Sequence, residues 1–97
     1  MVVIETIEKL SRKYAVSTEE FIRQGSILAM KEKKRAFQME RLDLLARYDA
    51  ETVEALEKKI REGMVPEHPA WEDLIELKNM ESEIAEIEND IRTIQAA

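Results

Sequence analysis

Cysteine is absent from this chain of 97 residues, and glycine, proline and aromatic residues are scarce. Without cysteine the protein cannot form a disulfide, a thiolate zinc site or a cysteine nucleophile. The chain has only two glycines and two prolines, so it has few places to turn sharply and long regular elements are expected. No uninterrupted apolar run reaches the roughly 18 residues that a membrane-spanning helix needs. We therefore expect a protein without disulfides, without a membrane span and with few turns.

Charged residues, by contrast, make up 37% of the chain, and long stretches are rich in Glu, Lys, Leu, Ile and Ala. This composition is typical of long helices and coiled coils, and it predicts an all-α fold. A chain of this length forms at most one domain with a small core. The first four residues, Met-Val-Val-Ile, lack the basic region and long apolar segment of a signal peptide, so a cytoplasmic protein is expected.

The negative charge is concentrated in the last third of the chain. Residues 67–97 contain nine acidic and two basic residues, a charge of 2 − 9 = −7, whereas residues 1–66 carry +1. Such asymmetry indicates a basic partner for the C-terminal part. A solvated helix face that keeps the protein soluble is an equally good explanation of the same pattern.

Apolar periodicity predicts two helices in the first half. Val3, Ile7, Leu10 and Tyr14 have the 4-3-4 spacing of an amphipathic helix over about residues 3–14. A second helix is predicted from Thr18 to about Arg47, and Ser17 or Thr18 can cap it, since Ser17 with Glu20 fits a capping box. A helix of about 30 residues is about 45 Å long. A monomer of this size covers such a rod poorly, so we predict self-association.

Gly25 is the one residue that disfavours this long helix. Glycine in a helix interior costs about 1 kcal/mol relative to alanine. We interpret it as a place where another helix crosses closely. Phe21, Ile22, Leu28 and Ala29 are predicted to share one side of this half of the helix.

A third, short helix is predicted after Tyr48. Asp49 can cap its amino terminus, Val53, Leu56 and Ile60 form its apolar seam, and Gly63 lies where a left-handed C-cap is expected. Pro66 and Pro69 cannot continue this helix.

The fourth helix is predicted from about Pro69, which suits a first turn, to Gln95. Its seam follows a 3-4-3-4-3 coiled-coil spacing through Leu77, Met80, Ile84, Ile87, Ile91 and Ile94. Trp71, Leu74 and Ile75 widen the apolar stripe at its start, which predicts a second contact there.

Residues that could carry chemistry are few and dispersed. His68 has no cysteine, second histidine or carboxylate at a spacing that would complete a zinc site. The serines that could join it in a catalytic triad lie on predicted exposed helix surfaces or caps. Many acids have a lysine or arginine four residues away, as in a solvated helix face. We therefore predict no enzymatic activity, no catalytic or metal-binding residue and no cofactor.

The basic segment KEKKR, residues 31–35, provides the candidate nucleic-acid contacts Lys33, Lys34 and Arg35. Phosphate binding needs several such charges on one face. Glu32 and Glu40 dilute the cluster, and no aromatic residues are interleaved for base stacking, so a solvated helix face is the simpler interpretation.

The stretch ETIEKLSRKYAVSTEEFIRQGSILAMKEK resembles the helix-turn-helix portion of small ribbon-helix-helix proteins, in which a VS-x-x-EFIR pattern is common. The downstream stretch ARYDAETVEALEKKIREGMVPEHPAWEDLIELKNMESEIAEIE is similar to the C-terminal part of prokaryotic, especially archaeal-type, antitoxins of type II toxin-antitoxin pairs. Its most specific segment is EGMVPEHPAWEDLIELKN. Together the two resemblances cover most of the chain.

The resemblance implies an intertwined homodimer formed by a helical region over residues 1–48, in which the ribbon strand is reduced or absent. A higher homo-oligomer is the alternative. Residues 49–97 would be an arm that wraps a cognate toxin, commonly a ribonuclease, and blocks its active site. The dimerisation residues would be Ile7, Leu10, Tyr14, Phe21, Ile22 and Leu28. Only residues 1–4 precede Glu5 as a strand, and these apolar residues offer no side chain to read a base edge, so operator binding is not expected from them.

Three hypotheses follow. In the first, an antitoxin-like protein neutralises its toxin through apolar residues in a groove and acids that face basic residues. The partner-binding residues would be Trp71, Leu74, Ile75, Leu77, Glu72, Asp73, Glu76 and Glu81. In the second, the chain is a structural coiled-coil homo-oligomer whose last helix pairs with its own copy. In the third, it is a DNA-binding transcriptional regulator.

Overall fold

The computed structural model describes residues 2–97, which form four α-helices. They are α1 (Val2–Lys13), α2 (Thr18–Arg47), α3 (Val53–Arg61) and α4 (Glu67–Ala96). The predicted all-α fold is confirmed, and the predicted bounds of α2 agree with the structure. Residues 2–4 lie in α1, so residues 2–97 contain no strand of the ribbon type. Met1, the first of the four residues that precede Glu5, lies outside the described residues.

Side-chain caps begin α2 and α3. The Ser17 hydroxyl accepts a hydrogen bond from the Glu20 backbone N–H at 3.0 Å, which confirms the predicted capping residue. At α3 the cap is Thr52, whose hydroxyl accepts from the Ala55 N–H at 3.0 Å. The prediction that Asp49 caps α3 is wrong, because Asp49 lies three residues before Thr52, in the turn that ends α2.

The first three helices end in the same left-handed turn. The residue with positive φ is Ala15 (56°) after α1, Asp49 (50°) after α2 and Gly63 (69°) after α3. In each case the next N–H bonds back to a carbonyl near the helix end: Val16 to Ser11 at 3.0 Å, Ala50 to Leu45 at 3.1 Å, and Met64 to Lys59 at 2.9 Å. Gly63 was predicted because glycine enters this region without strain, whereas alanine and aspartate gave no such signal.

Replacing Ala15 with glycine is expected to raise the free energy of unfolding by about 0.5–1 kcal/mol, because the left-handed conformation strains an L-residue by more than glycine's extra chain entropy. Urea unfolding followed by circular dichroism measures the change. Ala85→Gly, at an exposed position inside α4, is the matched control and should lower stability by about 1 kcal/mol. Equal losses in both variants would contradict the strain at Ala15.

The core lies where α2, α3 and α4 meet. α4 runs antiparallel to α2, since Arg41 pairs with Glu81 at 3.0 Å while Arg23 donates to the Ala97 carbonyl at 2.8 Å. The buried cluster consists of Leu44, Leu45, Ala50, Val53, Leu56, Ile60, Ala70, Leu74, Leu77 and Met80, and α4 also buries Ile87 and Ile91. This cluster contains residues from both sides of position 48, so the two regions predicted from sequence share one core.

Lysine and arginine occupy positions in the α2 seam that faces α4. The row of buried and half-buried residues has a 3-4-3-4-3 spacing through Ile27, Met30, Lys34, Phe37, Arg41 and Leu44. The side of α2 predicted to be apolar from Phe21, Ile22, Leu28 and Ala29 is not the side that faces α4, since Leu28 is 67% exposed. The long aliphatic stem of Arg41 can cover apolar surface while its charged end reaches Glu81, and the two basic residues conceal the heptad in the sequence.

The molecule is a rod of 61 × 23 × 20 Å. Its radius of gyration is 19.7 Å, whereas a compact domain of this length has a value of about 12–13 Å. Its accessible surface is 7099 Å², compared with about 5,700 Å² for a compact protein of this mass. Among residues 2–97 no helix is both long and apolar enough to cross a membrane. The chain thus keeps a large surface exposed for its mass.

Candidate partner-binding surfaces

The segment at residues 66–71 forms a junction at the start of α4. The His68–Pro69 peptide is cis, and His68 has non-helical backbone angles, so regular helix follows it. The exposed His68 imidazole lies 2.8 Å from the Glu72 carboxylate. The Glu72 backbone N–H, and then His68, lower the pKa of this carboxyl. No group of three or more potential ligands for a metal ion occurs in residues 2–97.

Leu74 and Leu77 are core residues of this chain. Their exposed fractions are 2% and 0%, and both pack in the cluster between α2, α3 and α4. They were predicted to enter the groove of a partner, and that role is corrected, since neither could reach a partner without separation of the helices. The wide apolar stripe at the start of α4 is explained by α3, which packs there in addition to α2.

Three further predicted partner-binding residues are half-buried against the same chain. Trp71 packs against the core cluster. Asp73 accepts a hydrogen bond from the Tyr48 hydroxyl, and Glu81 pairs with Arg41. Burial, together with the bond to Asp73, raises the pKa of Tyr48 to about 12, so this hydroxyl remains a hydrogen-bond donor at neutral pH. These contacts connect the second half of α2 to the first half of α4.

The remaining predicted partner-binding residues, Glu72, Ile75 and Glu76, are exposed. The two acids begin a longer row along one flank of α4, here called the acidic stripe, which consists of Glu72, Glu76, Glu83, Glu86 and Asp90. Its 4-7-3-4 spacing keeps these side chains on one line of a helix. Ile75, 59% exposed, lies beside its first two members.

The acidic stripe has no lysine or arginine partner among residues 2–97, and its one contact with a basic side chain is that of Glu72 with His68 at 2.8 Å. Lys78 lies on the opposite flank of α4, where it approaches Glu57 at 3.6 Å. Glu40, Asp43 and Arg47 of α2 line a groove with Glu76, so α2 adds two negative charges and one positive charge beside this part of the stripe. Sequence counting found the excess charge but not its alignment.

The first third of the chain exposes apolar side chains and buries almost none. Exposed large apolar residues there are Val2, Val3, Ile4, Leu10, Tyr14, Ile22 and Leu28. The one buried residue between positions 2 and 43 is Ser11, whose hydroxyl lies 3.0 Å from that of Thr18. Of the predicted dimerisation residues, Ile7 and Phe21 are half-buried and the other four are exposed. Their role in dimerisation remains a prediction.

The basic cluster does not form one face. Lys33 is exposed, whereas Lys34 is half-buried in the row that faces α4. Arg35 is paired with Glu32 at 2.7 Å, and this hydrogen bond lowers the pKa of the glutamate. Nucleic-acid contact by these residues remains a prediction, and their arrangement provides no continuous row of free positive charge.

These features describe an all-helical protein in which α2 and α4 form an antiparallel hairpin and α3 packs against α4. The chain belongs to the family described as "Uncharacterized protein MJ0235 family", whose model matches residues 1–97. Comparisons with curated proteins and with solved structures gave no match.

Proposed function

We propose that this protein binds and neutralises a basic protein partner, as an antitoxin neutralises a ribonuclease toxin. The observation that carries the proposal is the acidic stripe, whose carboxylates have no lysine or arginine partner in residues 2–97. The resemblance of residues 46–88 to antitoxins supports the same function.

The acidic stripe would act by covering the surface with which the partner binds RNA. From Glu72 to Asp90 it extends about 27 Å along α4. A ribonuclease needs basic side chains to hold the phosphates of its substrate, and a row of carboxylates is complementary to them. Ile75 would add an apolar contact at one end, while charge complementarity would speed association and select the partner.

This mechanism differs from the one expected from sequence. The apolar side of α4 already faces α2 and α3, so the partner would meet the outer flank of a folded hairpin. Stable packing of α4 before binding would avoid the free-energy cost of ordering an arm. A DNA-binding function has less support, because Lys33, Lys34 and Arg35 do not share a face.

The test uses the protein encoded by the adjacent open reading frame. We expect this protein to be basic, to stop growth when expressed alone and to copurify with the wild-type chain. The variant Glu76→Lys/Glu83→Lys/Glu86→Lys should associate with it at least about tenfold more slowly, because it reverses the steering charge. The association rate, measured by stopped flow, should also fall with salt for the wild type.

A charge-matched control separates this surface from net charge. Glu51→Lys/Glu54→Lys/Glu62→Lys changes the same number of exposed acids around α3. It should retain association within about threefold of the wild type and should still restore growth. Equal rates in both triple variants, or a neighbouring protein that neither stops growth nor copurifies, would contradict the proposal.

A further inference from the structure

α2 has a second regular row of residues, on the side opposite α4. Here called the outer row, it consists of Phe21, Gly25, Leu28, Glu32, Arg35, Met39, Leu42 and Ala46. Its 4-3-4-3-4-3-4 spacing is that of a coiled-coil seam. Leu28, Met39 and Leu42 are 67%, 49% and 56% exposed, so these three apolar members of the seam are not covered by the chain itself.

The outer row is complementary to itself when it is read in the opposite direction. If two copies of α2 pair antiparallel about a two-fold axis midway between positions 32 and 35, facing residue numbers add to 67. Two of the pairs then join a large residue with a small one, since Phe21 faces Ala46 and Leu42 faces Gly25, while Leu28 faces Met39 of the second copy. Glu32 faces Arg35 twice, once on each side of the axis, so both central pairs join opposite charges.

We infer that a second copy of this chain docks antiparallel on the outer row in this register. A two-fold dimer requires a surface that complements itself, and the outer row meets this condition in shape and charge. In the single chain Glu32 pairs with Arg35 of its own helix, three residues away. In the dimer each carboxylate can also reach the guanidinium of the second copy.

Gly25 supports this register. Apart from the adjacent residues and the backbone of its own helix, a Cβ at this position would have no atom within 4 Å, so no close contact in the chain itself requires a glycine here. The close helix crossing predicted from sequence is therefore absent from the single chain. In the dimer Gly25 faces Leu42 of the second copy, and the missing side chain leaves room for that leucine.

The surface area of the chain is also sufficient for this dimer. It exposes 7099 Å², roughly 1,400 Å² more than a compact protein of its mass. A standard interface buries about 800 Å² on each partner. The outer row extends about 38 Å along α2. Pairing along the rod would therefore cover Leu28, Met39 and Leu42 and form a bundle of two helical hairpins.

A parallel dimer would not use the same complementarity. It would bring Glu32 against Glu32 and Arg35 against Arg35, and like charges in contact disfavour a pairing. Gly25 would face Gly25, leaving a gap in the seam. The sequence of the outer row thus favours the antiparallel orientation.

The first experiment measures mass by sedimentation equilibrium. The wild-type chain should sediment at twice its mass of 11.3 kDa. Glu32→Arg alone and Arg35→Glu alone each place like charges across the axis, and each should raise the dimer dissociation constant at least tenfold. Mixed in equal amounts, the two variants should form a heterodimer within about threefold of the wild-type affinity. Pairing within one chain cannot produce this rescue.

The second experiment measures orientation. Because the chain has no cysteine, Arg47→Cys can carry a single spin label outside the outer row. In the antiparallel register the two labels lie about 40 Å apart along the helix axis. In a parallel dimer the two labels lie at the same height, so their distance is set only by the helix separation of about 8–10 Å and by the length of the label arms. Circular dichroism should show unchanged helix content in every variant.

Three outcomes would overturn the inference: a monomeric wild type, a heterodimer mixture that stays monomeric, or labels at the short distance. The measurements use this chain alone. Their result is therefore independent of whether the proposed basic partner exists, and failure of either proposal can be distinguished from failure of the other.

Discussion

Replacing Leu77 with alanine is expected to lower the free energy of unfolding by about 3 kcal/mol, because truncation of a buried leucine removes apolar contacts and leaves a cavity. Leu77 is 0% exposed and packs in the cluster that joins α2, α3 and α4. Urea unfolding followed by circular dichroism gives the change directly.

Ile75 provides the matched control for this prediction. It lies two residues away on the same helix but is 59% exposed. Ile75→Ala should change stability by no more than about 0.5 kcal/mol. Equal effects in the two variants would contradict the assignment of Leu77 to the core. The pair also separates the two roles that the apolar residues at the start of α4 could have, because only Ile75 is free to contact a partner.

Replacing Trp71 with alanine is expected to lower the free energy of unfolding by about 2–3 kcal/mol. The value is below that of a fully buried tryptophan because Trp71 is half-buried. Its ring packs against the core cluster near the start of α4. Circular dichroism is the appropriate signal, since the substitution removes the only tryptophan of the chain.

Trp71→Phe is the control, because it keeps an aromatic ring and should cost less than about 1.5 kcal/mol. A variant Trp71→Ala that keeps wild-type stability would show that the indole makes no net contribution to the core. Combined with lost binding to the adjacent gene product, that result would restore Trp71 as an interface anchor of the kind first predicted.

Local rules were sufficient for much of the fold. The 3.6-residue periodicity identified α1 and the seam of α4. The Ser17 cap located the start of α2, and the left-handed Gly63 located the end of α3. Capping residues and glycine act within a few residues of chain, so their effect can be read without knowledge of distant contacts. The all-α class could be predicted from composition because helix propensity is likewise a property of individual residues and does not depend on distant contacts.

Local rules failed where a side chain has two uses. Asp49 is a good N-cap residue but also tolerates positive φ, and the structure uses it for the second property. Arg41 looks like a surface residue, yet its stem lies in the seam and its charge meets Glu81, forty residues along the chain. Such choices depend on which helix lies opposite, and a single segment does not contain that information.

The candidate surfaces divide in the same way. Sequence alone located the excess of acid after residue 66 and the wide apolar stripe at residues 71–77. It could not separate Leu74 and Leu77, which are core, from Ile75, which is exposed. The alignment of the outer row on α2 was also hidden, because recognising it required knowing which side of the helix α4 occupies.

By itself the sequence determined that the chain is helical, approximately where its helices begin and end, and that its negative charge lies in the last third. Only the tertiary structure decided which apolar residues form the core and which remain exposed. The physical reason is one of range: helix periodicity, caps and charge density arise from neighbours a few residues apart, whereas burial depends on the antiparallel contact of α2 and α4, whose residues are tens of positions apart in the chain.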